Sequence, residues 1–237
     1  MDSAIVIGVG PERGLGAALC RRFAAAGLHV YIAGRSLAKL EAVVATIRMH
    51  GGQATAVVAD ATSEADVTRL FAEVPEPLRL AIYNAGNNFS GRIAEMEAEY
   101  FERCWRVCTF GGFLFGRDAV RRMRGEGGTL LFTGASASWR GRAGFGAFNS
   151  AKGALRNLAQ AMAKEYAGDG IHVGHVVVDG PIAGDKIING FPAYAEKLGE
   201  AGMIDIEGIV DGFEYLYRQP RRAWSFELDV RTSEEKW

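Results

Sequence analysis

Three glycines, Gly10, Gly14 and Gly16, follow the short apolar run Ala4 to Ile7 in the stretch IVIGVGPERGLG. A buried strand, a tight turn and a helix opening near Leu15 would let backbone come close to a pyrophosphate. The phosphates would then sit on the free amides and positive dipole end of the helix. The spacing is GxxxGxG. Read from Gly8, the GxGxxG fingerprint fails, because Arg13 stands where its last glycine belongs. The same residues also suit an ordinary glycine-rich strand-to-helix turn, so the phosphate reading depends on the residues further along the chain.

Cations come next. In dinucleotide-binding folds an acidic residue closing the second strand grips the ribose 2′-hydroxyl, whereas arginine suits a 2′-phosphate. Here the second strand ends Ala33-Gly34-Arg35, and no carboxylate occurs until Glu41. Arg35, together with Arg13 inside the phosphate turn, favours NADP(H), with NAD(H) as the alternative. Either arginine alone would also serve as a surface charge. Asp60, just after the third strand, is placed to contact adenine or to help cap the next helix, and the two roles are compatible.

These residues need strands and helices in alternation to hold them, and the chain supplies that pattern. Strands are expected at Ala4 to Ile7, His29 to Ala33, Thr55 to Ala59, Leu78 to Tyr83, Thr129 to Thr133 and His172 to Val178, with an alternating closing strand from Trp224 to Val230. Helices are expected from Leu15 to Ala26 with Gly27 after it, from Ser36 to about Met49, and from a capping-box-like Ser63 and Asp66. Others should run roughly from Glu97 to Met123, from Phe148 to about Tyr166, and to a last end near Arg218. Residues 181 to about 205 have weak periodicity and many glycines, as a mobile lid does. The expectation is an α/β fold: one doubly wound Rossmann-type domain over residues 1–237, its parallel strands joined by crossover helices.

Composition narrows the partners. With 237 residues, 49% of them hydrophobic, the chain can bury a sizeable single core. A net charge of −1 gives no electrostatic reason to expect nucleic acid or an anionic membrane, and no apolar run is long enough to cross a bilayer. Cys20, Cys104 and Cys108 are odd in number and form no CxxC, which fits a reduced, cytoplasmic protein with no metal site. His172 and His175 fall on an expected strand and read as packing or edge residues. The N-terminus enters the first strand almost at once, with no signal-peptide core.

Taken together, the Gly10–Gly14–Gly16 turn, Asp60 after strand three, Asn84-Ala85-Gly86 after strand four, a serine-bearing loop after strand five and Lys152 on the next helix resemble the short-chain dehydrogenase/reductase family along essentially the whole chain. The resemblance implies a seven-stranded parallel sheet with helices on both faces. It also implies that Leu15 and Gly16 open the phosphate-binding helix, that Asn84, Ala85 and Gly86 pack against the cofactor, and that Gly180 and Ile182 lie on its nicotinamide side. Homodimers or homotetramers built through the long helices around strand five would follow, with the closing strand and Trp237 in a second contact. The substrate would be a small molecule carrying a carbonyl or an alcohol.

The catalytic half departs from the family pattern. Family enzymes use a serine, a tyrosine and a lysine, with an asparagine behind them, the tyrosine four residues before the lysine. This chain reads Phe148-Asn149-Ser150-Ala151-Lys152, so the lysine is present and the phenol is not. A tyrosine seven residues before the lysine would be the alternative, and that position is Phe145. Cys108 stands in the asparagine slot. Ser136 is the candidate serine, with Ser138 second and a loop satisfying its own backbone as the bland alternative. A water held by Lys152 and Ser136, or Tyr194 swinging in from the lid, would then move the proton. Trp139, Phe145, Phe148, Phe191 and Tyr194 either line an apolar substrate pocket or simply pack. The expected function is NADP(H)-dependent hydride transfer with an altered proton path. The alternative is an NADP(H)-binding pseudoenzyme or sensor without turnover.

Overall fold

The computed structural model describes residues 1–75, 77–86 and 88–235. Its centre is a parallel sheet of seven strands: β1 (Ser3–Ile7), β2 (His29–Gly34), β3 (Gln53–Val58), β4 (Leu78–Tyr83), β5 (Gly128–Ala135), β6 (Ile171–Val178) and β7 (Glu227–Val230). They lie in the order β3-β2-β1-β4-β5-β6-β7. Every pairing is parallel. Helices cover both faces, so the inner strands read as continuous apolar runs; all five residues of β1 are buried. The chain changes direction of winding between β1 and β4. In doubly wound sheets the ligand crevice opens at this switch point, beyond the carboxyl ends of the strands.

Helices α1 (Leu15–Ala25), α2 (Leu37–Met49) and α9 (Ile206–Arg218) pack on one face through Phe23, Leu40 and Phe213. On the other, α3 (Glu64–Glu73), α5 (Gly111–Met123) and α6 (Gly146–Tyr166) pack through Phe71, Phe115 and Leu155. Helix α1 ends as its sequence dictates. Gly27 has φ +92°, and the Leu28 amide reaches back to the Phe23 carbonyl at 3.1 Å, closing the last turn.

The long helical stretch before β5 is continuous but irregular. Helix α4 (Ala98–Trp105) runs into a π-turn over Arg106–Phe110 and on into α5. Inside that turn the buried Tyr83 hydroxyl donates to the Val107 carbonyl at 2.5 Å.

Several local expectations need correction. Ser36 is the N-cap of α2, yet its side chain accepts no amide there. Ser63 does cap α3, accepting from the Asp66 amide at 3.3 Å, but the Asp66 carboxylate turns back to the Asp60 amide at 2.9 Å instead of closing a capping box. Strand β5 runs on to Ala135, whereas the closing strand begins only at Glu227. Residues 181–205 are not featureless: they carry α7 (Asp185–Ile188) and α8 (Pro192–Leu198), and a bridge pairs Ile182 with Ile204. Of the two readings of His172 and His175, packing holds: both are buried on an interior strand between β5 and β7. The contact suggested for Trp237 lies outside the described residues.

Candidate active site

The phosphate turn is set by Gly8, a residue the glycine spacing passes over. Gly8 has φ +88°, and a Cβ there would stand 2.4 Å from the Ala85 amide nitrogen. Only glycine lets the end of β1 meet the turn after β4 this closely. Asn84 secures the junction: its Nδ2 donates to the Gly8 carbonyl at 3.1 Å, and its Oδ1 accepts from the Thr133 hydroxyl at 2.9 Å. Helix α1 then opens at Gly14 in extended backbone with no side-chain cap. The amides of Leu15, Gly16 and Ala17 thus begin an eleven-residue helix with no side chain of their own to accept from them. Free first-turn amides behind a glycine cradle suit a dinucleotide pyrophosphate.

Arg13 and Arg35 are both exposed, with no carboxylate partner among the described residues. Glu12, beside Arg13, turns away to accept from the Thr46 hydroxyl on α2. Asp60 is occupied in part. Its Oδ1 accepts from both the amide and the hydroxyl of Thr62 at 2.8 Å, which folds the turn just before α3, while the cap of that helix is Ser63 and not Asp60. The segment after β6 docks on the phosphate turn, the Asp185 amide donating to the Arg13 carbonyl at 2.9 Å. Gly180 and Ile182 lie at its base, against Ile204.

Lys152 lies beside this turn. It sits on α6, is 4% exposed, and its Nζ donates to the Thr133 carbonyl at 2.7 Å. A Cβ on Gly86 would be 3.9 Å from that Nζ. Gly8, Asn84-Ala85-Gly86 and Lys152 therefore form one contiguous edge. Burial pulls the Lys152 ammonium below its usual range; the Cys108 and Cys104 thiols oppose this, and Lys186 of α7 adds to it. Lys186 is a cation of the site that no sequence spacing would flag.

Phe148 occupies the adjoining wall, its ring centroid 5.8 Å from Lys152 Nζ. Beneath it, Cys104 and Cys108 are buried with Ala147 and Ala151, and Met96, Tyr100 and Phe148 close the cluster. Hydrogen bonding to Cys108, with burial, raises the Cys104 thiol far above its ordinary value, which makes it unreactive. Thr109 braces the same contact by donating to the Ala151 carbonyl at 2.8 Å. Tyr100 is not a free phenol, because its hydroxyl pairs with the amide and carbonyl of Phe89 at 3.0 and 3.1 Å.

Ser136 opens a short 3-10 turn over Ser136–Ser138, immediately after β5. Ser138 is spent on that turn, its hydroxyl donating to the Ala135 carbonyl at 2.6 Å. The five aromatics do not form one wall. Phe191 and Tyr194 are exposed and make no ring contact with Trp139, Phe145 or Phe148 among the described residues. A groove of about 260 Å³ is lined by Tyr100, Met96 and Phe89, of which Tyr100 and Met96 also pack on the cluster that Phe148 closes. Thr133 carries no signature in the sequence. Its backbone and hydroxyl hold Lys152 and Asn84 together, and only the register of β5 against β4 reveals that.

Known proteins resemble this chain in sequence and fold. The family model for short chain dehydrogenases matches residues 4–185. YuxG, an oxidoreductase of Bacillus subtilis, is 31% identical over 185 residues, which make up 75% of this chain and 27% of YuxG. The meso-2,3-butanediol dehydrogenase of Serratia marcescens is 28% identical over 194 residues, covering 81% of this chain and 76% of that protein. Among solved structures, a short-chain dehydrogenase from Rhodopseudomonas palustris superposes with a TM-score of 0.83 at 34% identity, over 97% of this chain and 98% of its own. None of the helices is long and apolar enough to cross a membrane, among the described residues.

Proposed function

The chain belongs to the short-chain dehydrogenase family, and on that premise we propose that it is an oxidoreductase interconverting a carbonyl and an alcohol with NADP(H). The observation that carries this is the unbroken edge from Gly8 through Asn84 and Gly86 to Lys152. It places a buried ammonium beside a turn suited to a dinucleotide. Bound there, a nicotinamide would give or take the hydride.

This chain's residues do the rest. The α1 amides hold the pyrophosphate, and the exposed Arg13 and Arg35 hold the 2′-phosphate, which is the basis for preferring NADP(H) over NAD(H). Lys152, fixed by the Thr133 carbonyl, orients the nicotinamide ribose. The Phe148 ring has no exchangeable proton, so a water held between Lys152 and the Ser136 hydroxyl moves the proton at the substrate oxygen. The downward shift of Lys152 makes its ammonium a better acid for that purpose. Tyr194, on the exposed face of α8, is a less suited donor. The exposed Phe101, Trp105 and Phe113 on α4 and α5 support a homodimer or homotetramer.

A screen of ketones, aldehydes and alcohols, following NADPH absorbance, tests the reading. Turnover above background supports it. Tight NADPH binding with no turnover on any substrate would replace it with a cofactor-binding protein that does no redox chemistry. The Phe148→Tyr variant should gain ketone reduction by about 10²- to 10⁴-fold, the usual worth of a placed acid–base group.

A further inference from the structure

We propose that Glu227 of β7 is the positioning residue of this site: through Trp139, Arg156 and His175, one carboxylate ties together the turn that carries Ser136, the helix that carries Lys152 and the strand β6 that packs on Gly134, next to the Thr133 carbonyl. The inference rests on the proposed roles of Ser136 and Lys152.

Four hydrogen bonds converge on Glu227. Arg156 supplies two, from Nε at 2.6 Å and Nη2 at 2.9 Å. His175 Nδ1 donates at 2.9 Å and the Trp139 indole at 3.1 Å. The Glu227 side chain is 20% exposed, and burial by itself would raise its carboxyl; the bonds from His175, Arg156 and Trp139 outweigh that and bring it down to about 2. The carboxylate therefore keeps its charge across the whole working range of pH.

Each donor comes from a different part of the catalytic face. Trp139 closes the turn that Ser136 opens, its amide donating to the Ser136 carbonyl at 2.9 Å. Arg156 lies one helical turn beyond Lys152 on α6. His175 is fully buried, and its ring lies against Gly134, where a Cβ would stand 2.4 Å from Cε1 and Nε2. Gly134 directly follows Thr133, the residue whose carbonyl holds Lys152. His175 Nε2 has no hydrogen-bond partner among the described residues, so the bond to Glu227 is the polar contact that orients the ring, which also stacks on Phe226 with centroids 6.2 Å apart. The charged groups facing it are Glu227 from β7 and Lys152 and Arg156 from α6. Without the carboxylate, His175 would be a buried imidazole with neither nitrogen satisfied, and its rotation would disturb Gly134 and the Thr133 carbonyl.

The test uses Glu227→Gln and Trp139→Phe in the full chain, with amide hydrogen exchange, thermal unfolding and NADPH titration by fluorescence. In Glu227→Gln, exchange across 133–142 and 149–156 should rise roughly tenfold while residues 3–25 stay unchanged. NADPH affinity should fall by about fivefold, and the alkaline limb of its pH dependence, which Lys152 sets, should move. Trp139→Phe, the milder change, should loosen 133–142 alone and keeps the test available if Glu227→Gln does not fold. Unchanged exchange in both segments overturns the proposal. So does a rise spread evenly over all strands, or local loosening that leaves NADPH affinity and its pH limb in place. If the parent protein binds no NADPH, the dinucleotide reading itself falls, and the exchange data still decide whether Glu227 holds these elements.

Discussion

Removing Arg13 from the phosphate turn and Arg35 from the end of β2 should erase the proposed preference for NADP(H). Arg13 and Arg35 are exposed and have no acidic partner among the described residues, so a water-like dielectric governs their interaction with a phosphate. In that medium two unit charges 4 Å apart attract by about 1 kcal/mol. A 2′-phosphate carries about −1.5 to −2 charges at neutral pH. Each arginine is therefore expected to favour NADPH over NADH by roughly tenfold, and the pair by roughly a hundredfold less what salt screens at a Debye length of about 8 Å. Fluorescence titration of Arg13→Ala, Arg35→Ala and the double variant with each coenzyme measures this directly. NADPH should weaken in steps while NADH changes by no more than about twofold. Raising the salt should compress the difference, and so should lowering the pH below about 6, where the phosphate loses its second charge. A double variant that keeps the parent's NADPH-to-NADH ratio, or weakens both coenzymes alike, refutes the reasoning. Binding would then rest on the glycine turn alone.

Gly8→Ala puts a methyl group 2.4 Å from the Ala85 nitrogen at φ +88°. Backbone strain and overpacking together should cost about 2–5 kcal/mol, read from urea unfolding; a loss below about 1 kcal/mol would mean that β1 does not meet the β4 turn this way. Acid should destabilise the fold in two stages. Burial holds His175 and His172 below the ordinary imidazole value of 6.5, so the native chain binds fewer protons than the unfolded one once pH falls beneath it. Their stabilising contribution is complete above about pH 6.5 and declines as pH drops, by at most about 1.4 kcal/mol per pH unit for each. The depressed Glu227 and Glu214 contribute above the ordinary carboxyl value of 4.5 and add their losses only below it. Unfolding curves that do not change between pH 7 and 5 would contradict the buried, neutral histidines. If the proposed oligomer forms through this face, replacing Phe101 and Trp105 with glutamate should shift the solution mass towards a single chain, and an unchanged mass would move the contact elsewhere.

Much of the fold was legible in the sequence because its causes are local. Gly10, Gly14 and Gly16 after an apolar run specify a strand, a turn and a helix whatever surrounds them. Gly27 ends α1 through its own backbone freedom, and the unbroken apolar strands require a sheet covered on both faces. Lys152 and Phe148 share a face of α6 because they lie four residues apart. Other features exist only once distant segments meet. Gly8 looks like a failed fingerprint until β4 brings Ala85 against it, and Thr133 looks like an ordinary strand residue until Asn84 and Lys152 close on it from either side. Ser36 and Asp66 kept the expected backbone but lost the expected bonds; for Asp66 the reason is the Asp60 amide, which its half-buried carboxylate accepts from instead. Glu227 lies 75 residues after Lys152, a separation that carries no periodic signal; parallel pairing of β6 with β7 sets it beside His175. Backbone shape was dictated by neighbours along the chain, whereas the chemistry of the site was decided by which strands the sheet placed side by side.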